Sequence, residues 1–124
     1  MSTSNQNLGS KGESLAADYL KKHGYSVVDR NFRSGRSELD IIARKNSTLI
    51  ICEVKSFYAD PLGAAEFRVT RNKQKQVIQG TYGYLAEHPE YEGMNIRFDV
   101  LIVDFSAYPA KITHHEGAFW QEEF

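Results

Sequence analysis

The sequence predicts a single α/β domain, a mixed β-sheet flanked by helices in the order α-β-β-β-α-β-β. Three observations predict it. Two stretches carry apolar residues at helical spacing, three short strand-like segments lie between them, and a strongly apolar segment follows the second helix. A helix between strands favours a crossover that adds a parallel strand, which makes the sheet mixed. The length of 124 residues suits one domain and one core.

The first seven residues are largely polar, so residues 1–8 are expected as a disordered tail and 9–124 as the domain. Ser10-Lys11-Gly12-Glu13 matches a capping box, with Ser10 at the N-cap and Glu13 reaching back. Leu15, Ala16, Tyr19 and Leu20 then recur at helical spacing, and His23-Gly24 supplies a stop. Strands are expected over 25–32, 38–44 and 48–55, joined by turn residues at Ser34-Gly35-Arg36 and Asn46-Ser47. Asp60-Pro61-Leu62-Gly63 marks a loop. A second helix fits 70–87, with Val77, Ile78, Thr81, Tyr84 and Leu85 on one face and Pro89 beyond its end. Residues 96–105 read as a buried strand and 111–115 as a short edge strand.

Composition narrows the function. No apolar run approaches the roughly 20 residues of a membrane helix, and the N-terminus lacks the pattern of a secretory signal. A lone cysteine, Cys52, excludes an internal disulfide and sits in an apolar run, so a buried inert thiol and a cytoplasmic location are expected. The net charge is −1, but residues 11–75 hold 13 Lys/Arg against 8 Asp/Glu, and residues 76–124 hold 2 against 8. That asymmetry points to an anionic partner on the first half.

The chemistry sits in Ser37-Glu38-Leu39-Asp40 and Glu53-Val54-Lys55. With Asn46-Ser47 as a two-residue hairpin loop, Asp40 faces Glu53 and Glu38 faces Lys55. All four then project from one sheet face, and Ile41, Ala43, Ile50, Cys52 and Val54 from the other. Opposed carboxylates about 5 Å apart repel by about 3 kcal/mol at an effective dielectric of about 20. A divalent cation turns that repulsion into coordination, and hard oxygen ligands suit Mg²⁺ or Mn²⁺. Lys55 is placed to position a water or steady developing negative charge. The bland alternative is an exposed ladder in which Lys55 bridges Glu38 and Glu53.

Gly12-Glu13, Ala16-Ala17-Asp18-Tyr19-Leu20, Gly24-Tyr25, Arg30-Asn31-Phe32-Arg33, Glu38-Leu39-Asp40, Glu53-Val54-Lys55 and Arg97-Phe98-Asp99-Val100 together resemble the YraN-like family of bacterial proteins. That family is similar to the archaeal Holliday-junction resolvases of the PD-(D/E)XK nuclease superfamily. The resemblance covers residues 9 to 119 and implies a restriction-endonuclease-like three-layer fold. It implies metal ligation by Asp40, Glu53 and the Val54 carbonyl, and a catalytic Lys55. Glu13 matches a helix carboxylate that completes such sites, and Glu38 an acidic residue paired with Asp40. The chain departs from the family pattern at Ser37, where Gly is usual, and at Phe57, where a basic residue is usual.

The leading expectation is a Mg²⁺- or Mn²⁺-dependent endonuclease acting on DNA, branched DNA included. Its rivals are a nucleic-acid-binding module with a metal site but no turnover, and an adaptor that keeps the fold. Arg33, Arg36, Arg68, Arg71, Lys73 and Lys75 are candidate phosphate contacts, foremost Arg33, Arg36, Arg71 and Lys73. A homodimer is admitted by analogy with junction-cutting enzymes. His114-His115 adjoin on a strand and so point to opposite faces, a poor metal pair. Phe98, Phe105, Phe119 and Trp120 read as core or interface, and Arg97 and Asp99 as braces of the site from the next strand.

Overall fold

The computed structural model describes residues 4–58 and 69–119. Helix α1 (Ser4–Lys22) leads into strands β1 (Ser26–Ser34), β2 (Ser37–Lys45) and β3 (Thr48–Phe57). Helix α2 (Arg71–Glu87) and a 3₁₀ turn (Pro89–Tyr91) precede β4 (Asn95–Asp104) and β5 (Lys111–Phe119). The five strands lie in chain order; β3 and β4 are parallel and the other pairs antiparallel. The crossover through α2 therefore produces the expected mixed sheet, with helices on both faces.

Local chemistry accounts for the ends of these elements. α1 stops where Gly24 takes φ +88°, a left-handed conformation that costs glycine nothing. The Tyr25 N–H bonds the Leu20 carbonyl and the Gly24 N–H that of Lys21, closing a Schellman motif. α2 starts at Thr70, whose hydroxyl accepts from the Lys73 N–H. Asn46 turns the β2–β3 hairpin with φ +56°.

One start and one end differ from expectation. α1 begins at Ser4, so residues 4–8 are helical rather than part of a tail, and Ser10 lies inside the helix. The capping box is therefore not used, because a helix already under way leaves no free N–H groups at Ser10 for it to satisfy. β5 runs on to Phe119, four residues past its expected end, and Phe119 stacks on Phe98 with ring centroids 4.9 Å apart. The loop at 60–63, Arg68 and Trp120 lie outside the described residues.

The sheet carries a core on each side. Ala16, Ala17 and Leu20 of α1 pack on Ile41, Ala43, Ile50, Cys52, Leu101 and Val103. Val77, Ile78 and Tyr84 of α2 pack on Leu39, Ile42, Leu49, Ile51 and Phe98. Gly12 is what lets α1 approach β3: a Cβ there would lie 1.8 Å from the Ser56 hydroxyl oxygen. That contact brings Glu13 down beside the sheet. Cys52 is buried and unbridged, as expected.

Candidate active site

The β2–β3 hairpin keeps the expected register from Lys45↔Thr48 to Ile41↔Cys52, where the ladder ends. The reason is a break in side-chain alternation. Ile41 joins the core under α1, yet Leu39, two residues away, joins the core under α2. Partner strand β1 breaks at the same level: Arg30 reaches Glu13 on α1, and Phe32 packs edge-on against Tyr84 on α2. Asn31, between them, has φ +55°. Regular pleating cannot put residues two apart on opposite faces, so both strands kink there. Beyond the kink β2 and β3 part into a fork.

Asp40 sits in that fork. Its Oδ2 accepts the Val54 N–H at 2.9 Å, a side chain supplying what the backbone ladder no longer does. A strand residue's N–H and C=O point to the same side, so the Val54 carbonyl turns toward Asp40 as well. Glu53 faces α2, buried, with its Oε2 3.4 Å from Lys73 Nζ. Lys55 is exposed and close enough to Glu53 to hold its pKa down. Glu13 comes from α1, 3.5 Å from Arg30.

The electrostatics set these carboxylates apart. Burial pushes the Asp40 carboxyl up to about 7; the charge on Glu53 adds to the rise, as does that of Glu13, while the Val54 N–H opposes it. Glu53 is also raised, chiefly by burial, although Lys73 and Lys55 pull it down. Two acids desolvated side by side each favour the protonated form. The donor set fits a hard divalent ion: two carboxylates and a carbonyl at one fork, with a lysine beside them. Among the described residues no three His, Cys, Asp or Glu side chains form a metal cluster, so any ion here would rest on two carboxylates plus backbone.

A family model for the uncharacterised protein family UPF0102 matches residues 12–103. Relatives agree over nearly the whole chain. A UPF0102 protein of Geobacter metallireducens is 40% identical over 119 residues, covering 96% of this chain and 97% of that protein. One of Clostridium beijerinckii is 38% identical over 117 residues, covering 93% and 94%. The chain belongs to the UPF0102 family. This is the YraN-like family its motifs resemble. Among solved structures, Pyrococcus furiosus SfsA in complex with Ca²⁺ aligns with a TM-score of 0.39 at 17% identity, over 90% of this chain and 63% of that one.

The family's motif residues do not all share one place in the fold. Asp40, Glu53, Val54 and Lys55 meet at the fork, with Glu13 above it. Glu38 does not face Lys55: Ser37 and Leu39 lie under Gly80 of α2, so alternation turns Glu38 to the other face. There it pairs with Arg33 of β1 at 3.5 Å. The kink at Asp40 separates the two acids that regular pleating would have aligned. Arg36 lies in the β1–β2 turn and is exposed, as is Arg71 at the start of α2. Lys73, expected to meet phosphate, lies 3.4 Å from Glu53.

Arg97 and Asp99, expected as braces from the next strand, form a hub. Asp99 is fully buried and accepts from Arg97 Nε at 2.9 Å and from the Gly117 N–H at 3.0 Å. His114 Nε2 lies 2.7 Å from its other oxygen, and Arg97 also donates to the Tyr25 hydroxyl at 2.8 Å. His114 therefore serves the face under α1, and His115 turns to the other. Arg30, which holds Glu13, was missed; a cation 17 residues from its partner leaves no periodic signal.

Proposed function

We propose that this protein is a Mg²⁺- or Mn²⁺-dependent endonuclease that hydrolyses phosphodiester bonds in DNA, branched DNA included, in the cytoplasm. The observation that carries the reading is the pair Asp40 and Glu53, desolvated together at a strand fork beside Lys55, with the Asp40 carboxyl pushed up to about 7. Two adjacent raised acids cost a fold stability, and a cation held between them would offset that cost. Asp40, Glu53 and the Val54 carbonyl would hold the ion, which supplies an acidified water and stabilises charge on the phosphoryl group.

The chain's own residues do the rest. Asp40 is fixed by its bond from Val54, so its second oxygen points to a defined place at little cost in entropy. Lys55, exposed at the mouth of the fork, orients the attacking water or meets the negative charge that develops on phosphate. Glu13, steered by Arg30, lies close enough to Asp40 to raise its pKa and to accept from a water at the same site. Arg36 and Arg71 offer exposed cations for the flanking phosphates, and Arg33 adds one beside Glu38. Junction cutting would call for two such sites in a homodimer.

The ion pair between Lys73 and Glu53 favours a second reading, a nucleic-acid-binding module in which an ammonium group neutralises the carboxylates. Pure protein incubated with linear, flapped, single-stranded and four-way DNA, under Mn²⁺, Mg²⁺ or EDTA, separates the two. The nuclease reading expects metal-dependent cleavage that Lys55→Ala slows by about 10²–10³. Metal-independent binding with no cleavage of any substrate would select the module.

A further inference from the structure

The row of residues leading away from Glu53 ends in a cavity that the metal chemistry does not use. Glu53 is registered with Val100 on β4, and Val100 with His115 on β5. Strands stand about 4.8 Å apart, so the floor at Val100 begins one strand from Glu53 and His115 lies about 10 Å from it. A cavity of about 610 Å³ opens at this row and at the β5 edge, lined by Val69, Gln74, Val100, His114, His115, Glu116 and Ala118. Its volume lies within the range of small-molecule sites, about 300–1,000 Å³. Gln74 directly follows Lys73, the residue that touches Glu53, so cavity and carboxylates are neighbours on α2 as well as on the sheet.

The cavity is built rather than left over. Its rim is a β-bulge: β4 advances from Phe98 to Val100 while β5 goes from Phe119 to His115, so residues 116–118 oppose Asp99 alone. Gly117 takes φ +59°, and its N–H is held at 3.0 Å by the buried Asp99 carboxylate. Arg97 ties Glu116 at 3.5 Å. The Asp99 hub thus fixes the wall from the far side of the sheet. Gln74 is fixed too, since its amide donates to the Val69 carbonyl at 2.8 Å. That hydrogen bond uses the amide as donor and leaves the carboxamide oxygen as an acceptor.

We infer that this cavity binds the nucleobase of a nucleotide next to the scissile phosphate, and that it favours bases with an exocyclic amino group. The inference rests on the phosphodiester reading of the neighbouring carboxylates. Val69, Val100 and Ala118 form an apolar bed for a planar base, and His115 offers a ring to stack on it. Gln74 Oε1 accepts a hydrogen bond, which cytosine, adenine and guanine donate through an amino group and thymine does not.

Amide chemical shifts of the metal-free protein, titrated with dCMP, dTMP and deoxyribose 5-phosphate, test this without catalysis. The expected result is saturable shifts at Val100, Gly117 and Ala118 with dCMP, about tenfold weaker with dTMP, and none there with the base-free sugar. Ala118→Trp, an exposed strand position, fills the cavity and should abolish the dCMP shifts while its spectrum stays folded; Gln74→Ala should remove the preference over dTMP. Equal shifts from deoxyribose 5-phosphate, or dCMP shifts unchanged in Ala118→Trp, would overturn the inference. The two proposals fail separately. Wild type that cleaves DNA yet shows no dCMP shifts sinks the cavity alone, whereas dCMP shifts without cleavage sink the nuclease reading and leave the cavity standing.

Discussion

Asp99 and Glu53 stand almost side by side, since β3 and β4 pair Cys52 with Asp99 and Glu53 with Val100. Both are buried acids, and their surroundings are opposite. Burial alone would push Asp99 up, but His114, Arg97 and the Gly117 N–H together hold it below the usual carboxylate range. Glu53 has Lys73 at 3.4 Å and Lys55 nearby, yet burial leaves it raised, and Asp40 beside it rises to about 7. The first acid is surrounded by donors and braces the fold. The second lies beside another acid, a cost that Lys73 and Lys55 offset only in part. The contrast separates a structural carboxylate from a functional one more sharply than burial does.

If the contrast holds, the largest effect belongs to Asp99→Ala. It strands Arg97 and His114 without their acceptor and should cost about 3 kcal/mol or more in chemical denaturation. Because Asp99 is depressed, its contribution is present above the ordinary carboxylate range and is lost as pH falls through the folded-state value. A loss under 1 kcal/mol would erase the distinction from the structural side.

Asp40→Asn should act in the opposite direction. The amide oxygen still accepts the Val54 N–H, and the repulsion from Glu53 disappears, so the metal-free protein should gain about 1–2 kcal/mol. The pH dependence carries the same sign. A raised acid stabilises the fold while protonated, so in EDTA wild-type stability should fall as pH climbs from about 4 to about 7, and less so in the variant. Denaturation midpoints across that window check both.

The smallest effect is reserved for Arg30→Ala. It frees Glu13 from an ion pair that is partly exposed on both sides, which should cost less than about 1 kcal/mol. Cleavage should suffer more than stability, since Glu13 then loses its orientation over the fork; equal losses in both would make the pair merely structural.

How much of this was legible in the sequence follows local rules closely. Strands, hairpin register and both helix faces come from periodicity and turn residues, and Asn46-Ser47 fixes the register that brings Asp40 toward Glu53. What periodicity misses is its own interruption. Asn31 and Asp40 reverse the alternation of two strands at one level, and no local pattern announces that a non-glycine residue will take positive φ. The kink turned Glu38 toward Arg33, from where its charge still reaches Glu53, and opened the fork for Asp40. The α1 start was missed because residues 4–10 carry no apolar repeat, leaving Ser10-Lys11-Gly12-Glu13 as the only visible signal. Hubs such as Asp99 join residues from β4 and β5 to Tyr25 ahead of β1, and long-range pairing of that kind is invisible along one chain.

The central claim is that Asp40 and Glu53 form a divalent-cation site, and calorimetric titration with Mn²⁺ at slightly alkaline pH tests it most directly. Above pH 7 Asp40 is ionised, so saturable binding is expected in wild type, with a matching rise in melting temperature. It should vanish in Asp40→Asn and Glu53→Gln and survive in Lys55→Ala, since an ammonium group is no ligand. Mn²⁺ that fails to bind wild type, or that binds Asp40→Asn equally well, would contradict the account.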